Sequence, residues 1–182
     1  EDEIAAAAAS VGASFTGKLA VTGTSGPGLA LKSETISLAL SAELPLVIVN
    51  VQRGGPSTGL PTKPEQSDLM FALYGRHGES PLPVVAAKSP SHAFYAAYEA
   101  SRIALKYMTP VILLSDNYVA TGSEPWNLPN TEELNELETN IITKLNTEDG
   151  FLPFLRNVDT FARPWALPCL LYTSDAADES TC

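Results

Sequence analysis

Arg53 is the residue that points most directly to chemistry in this chain. The apolar run Val47-Ile-Val-Asn-Val51 ends in Gln52-Arg53 and opens into Gly54-Gly-Pro-Ser-Thr-Gly-Leu-Pro-Thr62. A guanidinium set among glycines, prolines and hydroxyls offers a planar fork that takes a carboxylate in two parallel charge-assisted hydrogen bonds. Ser57, Thr58 and Thr62 follow closely enough to complete the ligand's acceptor set. The alternative for Arg53 is an ion pair with a neighbouring acidic side chain. A second loop, Thr24-Ser-Gly-Pro-Gly28, presents hydroxyls and backbone N–H groups where a strand turns into a helix. Its lysine and serine, Lys32-Ser33, come too late for a P-loop and fall on the helix, and the spacing does not fit G-x-G-x-x-G. The alternative here is a tight turn whose glycines supply positive φ. Glu3 opens a helical stretch, where its simplest role is to complement the helix dipole. His77 and His92 lack a partnered nucleophile or metal spacing and read as surface or loop residues. With no serine in a nucleophile elbow and no acidic cluster at metal spacing, these side chains alone do not support acid–base catalysis.

The elements that must position these residues follow from periodicity. Ile4, Ala8, Val11 and Phe15 predict a helix over 3–15, packed closely through alanines, followed by a strand over 19–21. The turn at 23–28 runs into a predicted helix over 29–42. Pro45 and Gly54-Gly55-Pro56 bound the β-branched run at 47–51 as a strand buried on both faces, with Arg53 at its carboxyl end, where open α/β sheets bind ligands. A helix is predicted from about Pro64, with Glu65 and Asp68 at its positive end. A strand over 84–87, a helix from Ser89-Pro90 to about Met108 and a strand over 110–114, ending at Ser115-Asp116, complete the pattern. Strands alternating with helices of a dozen residues predict an α/β fold with a doubly wound parallel sheet, because parallel strands need crossover connections.

The chain has 182 residues, 45% of them hydrophobic, enough for one full core over residues 1–125 but not for two domains. Residues 126–168 lose the regularity and read as an irregular extension or linker toward a further domain, with 132–145 able to form a polar helix. A net charge of -10 disfavours nucleic acid and anionic membranes as partners. No apolar run approaches the roughly 20 residues needed to span a bilayer. A cytoplasmic protein is expected. The missing initiator methionine and the helical sequence at Glu1 predict a chain that begins inside a longer protein. Residues 169–182 form a separate tail, in which Cys169 to Glu179 read as the translation of a transposase sequencing adapter. On that reading Cys169 and Cys182 are foreign, and the native part offers no thiol nucleophile, disulfide or cysteine ligand to a cluster.

Several segments together resemble one family. Glu3-Ile-Ala-Ala, Thr24-Ser-Gly-Pro-Gly28, Val51-Gln-Arg-Gly-Gly-Pro-Ser-Thr-Gly-Leu-Pro-Thr62, Glu65-Gln-Ser-Asp68, Leu73-Tyr-Gly-Arg-His-Gly78, Leu114-Ser-Asp116 and Ala162-Arg-Pro-Trp165 resemble the alpha subunit of 2-oxoacid:ferredoxin oxidoreductases, especially the 2-oxoglutarate type. The resemblance spans residues 1–168. It implies the pyrimidine-binding domain of a thiamine diphosphate enzyme that oxidatively decarboxylates 2-oxoglutarate, or a related 2-oxoacid, to an acyl-CoA. It further implies that Glu3 is the catalytic carboxylate bonded to N1′ of the cofactor's aminopyrimidine, that Thr24 and Ser25 face the cofactor, and that Arg53, Thr58 and Thr62 bind the substrate. No Gly-Asp-Gly motif and no Cys-x-x-Cys is present. The resemblance therefore places Mg²⁺, the diphosphate and an iron–sulfur cluster in a beta subunit, with ferredoxin and coenzyme A as further partners. The competing possibilities are a noncatalytic nucleotide-binding or scaffolding α/β domain, and another thiamine enzyme such as a pyruvate or indolepyruvate oxidoreductase or a transketolase.

Overall fold

The computed structural model describes residues 2–148 and 150–168; the expectation for residues 169–182 lies outside them. Four strands, β1 (Ala20–Thr24), β2 (Leu46–Gln52), β3 (Val84–Ala86) and β4 (Pro110–Asp116), form an all-parallel sheet in the order β1-β2-β4-β3. β2 lies between β1 and β4, pairing Leu46 with Ala20 and Pro110 and Asn50 with Thr24 and Leu114. The alternation of elements thus gives the expected α/β fold with helices on both faces.

One face is covered by α1 (Glu3–Phe15), α2 (Gly26–Leu31), α3 (Ser33–Ser41) and α4 (Leu69–Tyr74). Leu29, Ile36 and Ala72 from these helices pack on Leu46, Ile48, Ile112 and Leu114. The other face carries α5 (Pro90–Tyr107), whose Ala96, Ala100 and Ala104 let the helix lie close against Val47, Val111 and Leu113. Burying each of these large aliphatic side chains contributes about 1.5–3 kcal/mol. Ser89 caps α5 by accepting the His92 N–H, and Pro90 occupies a first-turn position that needs no N–H. Asp2 caps α1 by accepting from Ala5 N–H at 2.7 Å.

Three local expectations are corrected. The predicted helix over 29–42 begins earlier, at Gly26, and breaks at Lys32 into α2 and α3. No helix starts at Pro64: residues 64–68 have no regular structure and α4 starts at Leu69, because the side chains of Glu65, Gln66 and Asp68 are engaged in long-range hydrogen bonds. The polar helix over 132–145 is absent apart from one 3₁₀ turn, Thr131–Glu133: Leu134, Leu137, Ile141 and Leu145 fall at helical spacing, but Leu137 and Ile141 pack on the cluster around Trp165 from non-helical backbone. Beyond it, β5 (Ile141–Ile142) pairs in parallel with β6 (Trp165–Ala166). Trp165 is fully buried against Leu105 and Met108, and its indole N–H donates to Ser14 O at 3.1 Å. This part of the extension therefore packs back onto the first domain. No described helix is long and apolar enough to cross a membrane.

Candidate functional site

The site grows from the carboxyl ends of β1 and β2. Residues 53–68 leave β2 and lie over the sheet, closing a cleft of about 460 Å³ against α2 and the start of α4. Arg53 and Ser57 enter it from the loop, Gly26 and Pro27 from α2, and Asp68 and Phe71 from the far side.

The loop is tied down at many points. Gly54 N–H donates to Lys63 O at 2.8 Å and Leu60 N–H to Gly54 O at 3.0 Å. Gly55 N–H donates to the Glu65 carboxylate at 2.8 Å, and Asn117 Nδ2 to Thr62 O at 3.0 Å. At its base Asp68 N–H donates to Gln52 Oε1, and Asn50 Nδ2 to Asp68 Oδ2, each at 2.9 Å. Gln66 Nε2 reaches Asp116 Oδ2 at 2.6 Å, while Asp116 Oδ1 accepts Val119 N–H. Burial alone would push the Asp116 carboxyl upward, but the hydrogen bonds from Gln66, Val119 and Tyr118 outweigh it and hold the group below the ordinary carboxylate range.

Arg53 is half-buried and, among the described residues, forms neither an ion pair nor a hydrogen bond; its Nε is buried without a partner. The alternative of an internal acidic partner is therefore not realised there. A buried guanidinium N–H left open is costly, and an incoming carboxylate would relieve it with charge-assisted bonds of about 1.5–3 kcal/mol. Thr58 and Thr62 sit exposed on the outer part of the loop and do not line the cleft. Ser57 does, from a left-handed backbone conformation with φ 55°.

Glu3 and Thr24 meet at the neighbouring side of α2, and Ser25 stands just before its first residue. Gly28 is buried beneath two of them: a β-carbon there would lie 2.0 Å from Thr24 Oγ1 and 2.9 Å from Glu3 Cγ. Gly23, Gly26 and Gly28 are not in the left-handed region, so Gly28 serves close approach and not a positive φ. Ser25 is the N-cap of α2 in extended conformation and makes no capping bond with its hydroxyl. The first turn of α2 thus stands between two groups, Glu3 with Thr24 on its Gly28 side and Arg53 with Ser57 on its Gly26–Pro27 side.

Lys32, set aside above as a misplaced P-loop lysine, is only 1% exposed. Its ammonium donates to Thr22 Oγ1 at 2.9 Å and to Gly23 O at 3.4 Å, supporting the strand that leads into Thr24. Burial pushes it below the ordinary lysine value, partly offset by the negative charge of Glu3. Sequence reasoning also missed Asn50, Gln52 and Asp116 as structural polar residues. The signal was present: in Val49-Asn-Val-Gln52 the two amides fall at period two on one face of an otherwise apolar strand. No group of three His, Cys, Asp or Glu side chains among the described residues could hold a metal ion.

A parallel α/β domain with an open guanidinium on one side of a helix start, and a carboxylate and hydroxyl over a bare glycine on the other, presents these groups at the carboxyl ends of its strands, where open α/β sheets bind ligands. Residues 1–153 match the family described as pyruvate flavodoxin/ferredoxin oxidoreductase, thiamine diphosphate-binding, and the chain belongs to that family. It is 52% identical over 168 residues to the 2-oxoglutarate oxidoreductase subunit KorA of Mycobacterium tuberculosis, covering 92% of this chain and 25% of that protein. It is 47% identical over 138 residues to the 2-oxoglutarate synthase subunit KorA of Archaeoglobus fulgidus, covering 76% of this chain and 40% of the relative. Among solved structures, the 2-oxoglutarate:ferredoxin oxidoreductase from Magnetococcus marinus, with 2-oxoglutarate, coenzyme A and succinyl-CoA bound, superposes with a TM-score of 0.78 at 39% identity, covering 90% of this chain and 28% of that one. The chain thus spans a quarter to two fifths of the length of these relatives.

Proposed function

We propose that this chain is the pyrimidine-binding part of the alpha subunit of a thiamine diphosphate-dependent 2-oxoacid:ferredoxin oxidoreductase, acting on 2-oxoglutarate. The observation that carries the proposal is the open Arg53 guanidinium lining a cleft at the carboxyl end of the parallel sheet. Arg53 would take the carboxylate next to the oxo group, and Ser57, which lines the same cleft, would add a bond. Thr58 and Thr62, expected from the resemblance to bind substrate, would act from the rim of the same loop.

The cradle over Gly28 fits one edge of an aminopyrimidine: Glu3 offers a carboxylate acceptor for a ring N–H, and Thr24 and Ser25 offer hydroxyls. Thiamine diphosphate, when bound, supplies the carbanion chemistry of decarboxylation. Glu3 would hold a proton at N1′, and Lys32, fixed to Thr22 and Gly23, keeps the strand end beneath Thr24 in place. The diphosphate with its Mg²⁺, and the iron–sulfur cluster, are assigned to a beta subunit, since this sequence has neither Gly-Asp-Gly nor Cys-x-x-Cys. Coenzyme A would receive the acyl group and ferredoxin the electrons, in a cytoplasmic heteromer. The names of the relatives favour 2-oxoglutarate over pyruvate or indolepyruvate, and membership in a thiamine diphosphate-binding family disfavours a noncatalytic nucleotide-binding scaffold.

The test is 2-oxoglutarate-dependent reduction of a viologen dye by the full-length subunit co-expressed with its beta subunit. Loss of a bidentate contact of about 3 kcal/mol in Arg53→Ala lowers kcat/KM by about 100-fold, and Glu3→Gln abolishes most turnover while the heteromer still assembles. Wild-type kcat/KM in Arg53→Ala would remove the substrate assignment, and wild-type turnover in Glu3→Gln the cofactor assignment.

A further inference from the structure

Asp68 sits where three segments meet. Its Oδ2 accepts from Asn50 Nδ2 at 2.9 Å, and Asn50 is wholly buried in β2. Its backbone N–H donates to Gln52 Oε1 at 2.9 Å. Both carboxylate oxygens press on the start of α2, 3.0 and 3.2 Å from where a β-carbon on Gly26 would lie. Gln52 immediately precedes Arg53, so the Asp68–Gln52 bond closes the 53–68 loop at its base, and the Asp68–Asn50 bond fixes that closure to the central strand. The bonds at Gly54, Gly55 and Thr62 shape the loop internally and at its rim, whereas the Asp68–Asn50 bond ties its end to the central strand, and the Arg53 side chain has no bond of its own to the described residues that would set its direction. Asp68 also lines the Arg53 cleft without pairing with the guanidinium.

We propose that the Asp68 carboxylate makes this a positioning residue for substrate binding: through Asn50 it fixes the base of the loop against β2 and the start of α2, beside the Gln52 bond that the Asp68 backbone N–H makes whatever the side chain, and so sets where the Arg53 guanidinium stands. This rests on the assignment of Arg53 to the substrate carboxylate. The role is one of hydrogen-bond geometry, not of charge. Asn at this position keeps an oxygen for Asn50 Nδ2 and adds an N–H for Asn50 Oδ1, a buried acceptor that is otherwise unpartnered.

The experiment compares Asp68→Ala, Asp68→Asn and Arg53→Ala in the full-length heteromer, reading KM and kcat for 2-oxoglutarate, bound thiamine diphosphate, and hydrogen exchange of the amides over 53–68. A displaced guanidinium weakens ground-state and transition-state binding alike, so Asp68→Ala raises KM about tenfold with kcat changed less than about threefold. Cofactor content stays at the wild-type level and loop amides exchange faster. Asp68→Asn restores KM and protection. Unchanged KM in Asp68→Ala overturns the proposal, as does an Asp68→Asn variant impaired as much as Asp68→Ala, which would make charge the operative property. An Asp68→Ala subunit that no longer assembles while Asp68→Asn does also overturns it, because the carboxylate would then hold the fold and not the loop. If Arg53→Ala itself leaves KM and kcat at wild-type values, the substrate assignment fails first, and loop exchange in Asp68→Ala still reports the closure separately.

Discussion

The Lys32 ammonium lies 2.9 Å from Thr22 Oγ1, a buried contact made from the joint between α2 and α3 to the strand beneath the Thr24 turn. A desolvated lysine held by two neutral oxygens is a costly way to pin a strand end.

That cost predicts the behaviour of Lys32→Met. Lys32 is depressed below its ordinary value of 10.5 by burial, so the folded state releases its proton before the unfolded state does, and wild-type stability rises as pH climbs through the folded value toward 10.5. Replacement by an apolar side chain of similar length removes that pH dependence and leaves Thr22 Oγ1 and Gly23 O without their donor, so the stability of Lys32→Met relative to the wild type falls as the medium becomes alkaline. Thermal unfolding of the two proteins at neutral and alkaline pH checks this; a difference that does not change with pH would contradict a buried ammonium.

Gly28→Ala sets helix propensity against site geometry. Alanine is better than glycine within a helix by about 1 kcal/mol, yet its β-carbon would overlap Thr24 Oγ1 and crowd Glu3 Cγ. Both side chains can rotate away, so the domain keeps its melting temperature while the cradle is lost. Fluorescence titration of the assembled enzyme is expected to show thiamine diphosphate bound about tenfold more weakly, equivalent to about 1.4 kcal/mol. Unchanged affinity would mean that Glu3 and Thr24 do not contact the cofactor from this position.

Asp116 gives an acid-side prediction. Its hydrogen bonds hold the folded carboxyl below the ordinary value of 3.8, so its contribution is fully present above that value and is lost as pH falls through the lower folded one. Asp116→Asn removes this contribution, and its stability should fall less steeply than the wild type between about pH 5 and about pH 2. Urea unfolding across that range tests the sign; parallel curves for the two proteins would show that the Gln66 and Val119 bonds do not depend on ionisation.

Much of the architecture was legible because it depends on short-range pattern. The β-branched run before Arg53, Ser89-Pro90 before the small-residue face of α5, and the alternation of strand and helix each follow from local propensity and burial. The elements that sequence misplaced are those in which side chains serve distant partners. Pro64 and the acidic residues after it carry a helix-start pattern, but Glu65 and Asp68 are held by Gly55 and Asn50, and those bonds keep the chain out of helix until Leu69. The 132–145 segment carries Leu134, Leu137, Ile141 and Leu145 at helical spacing, but pairing of Ile141 and Ile142 with the distant Trp165 and Ala166 takes them into a strand instead.

The sequence by itself determined the parallel sheet, the placing of Arg53 at the end of a buried strand and the hydroxyl-bearing turn at Thr24, because residue type and spacing decide these; Glu3 became a candidate through the family resemblance. Only the tertiary structure decided which of them meet. It brought Glu3 across to Thr24 over Gly28, left Arg53 without an acidic partner among the described residues, set Thr58 and Thr62 on the outside of the loop, and gave Asp68 its bond to Asn50 and Lys32 its buried bond to Thr22. The physical reason is that a hydrogen bond or a close approach depends on where two distant segments come to rest, which no local pattern encodes.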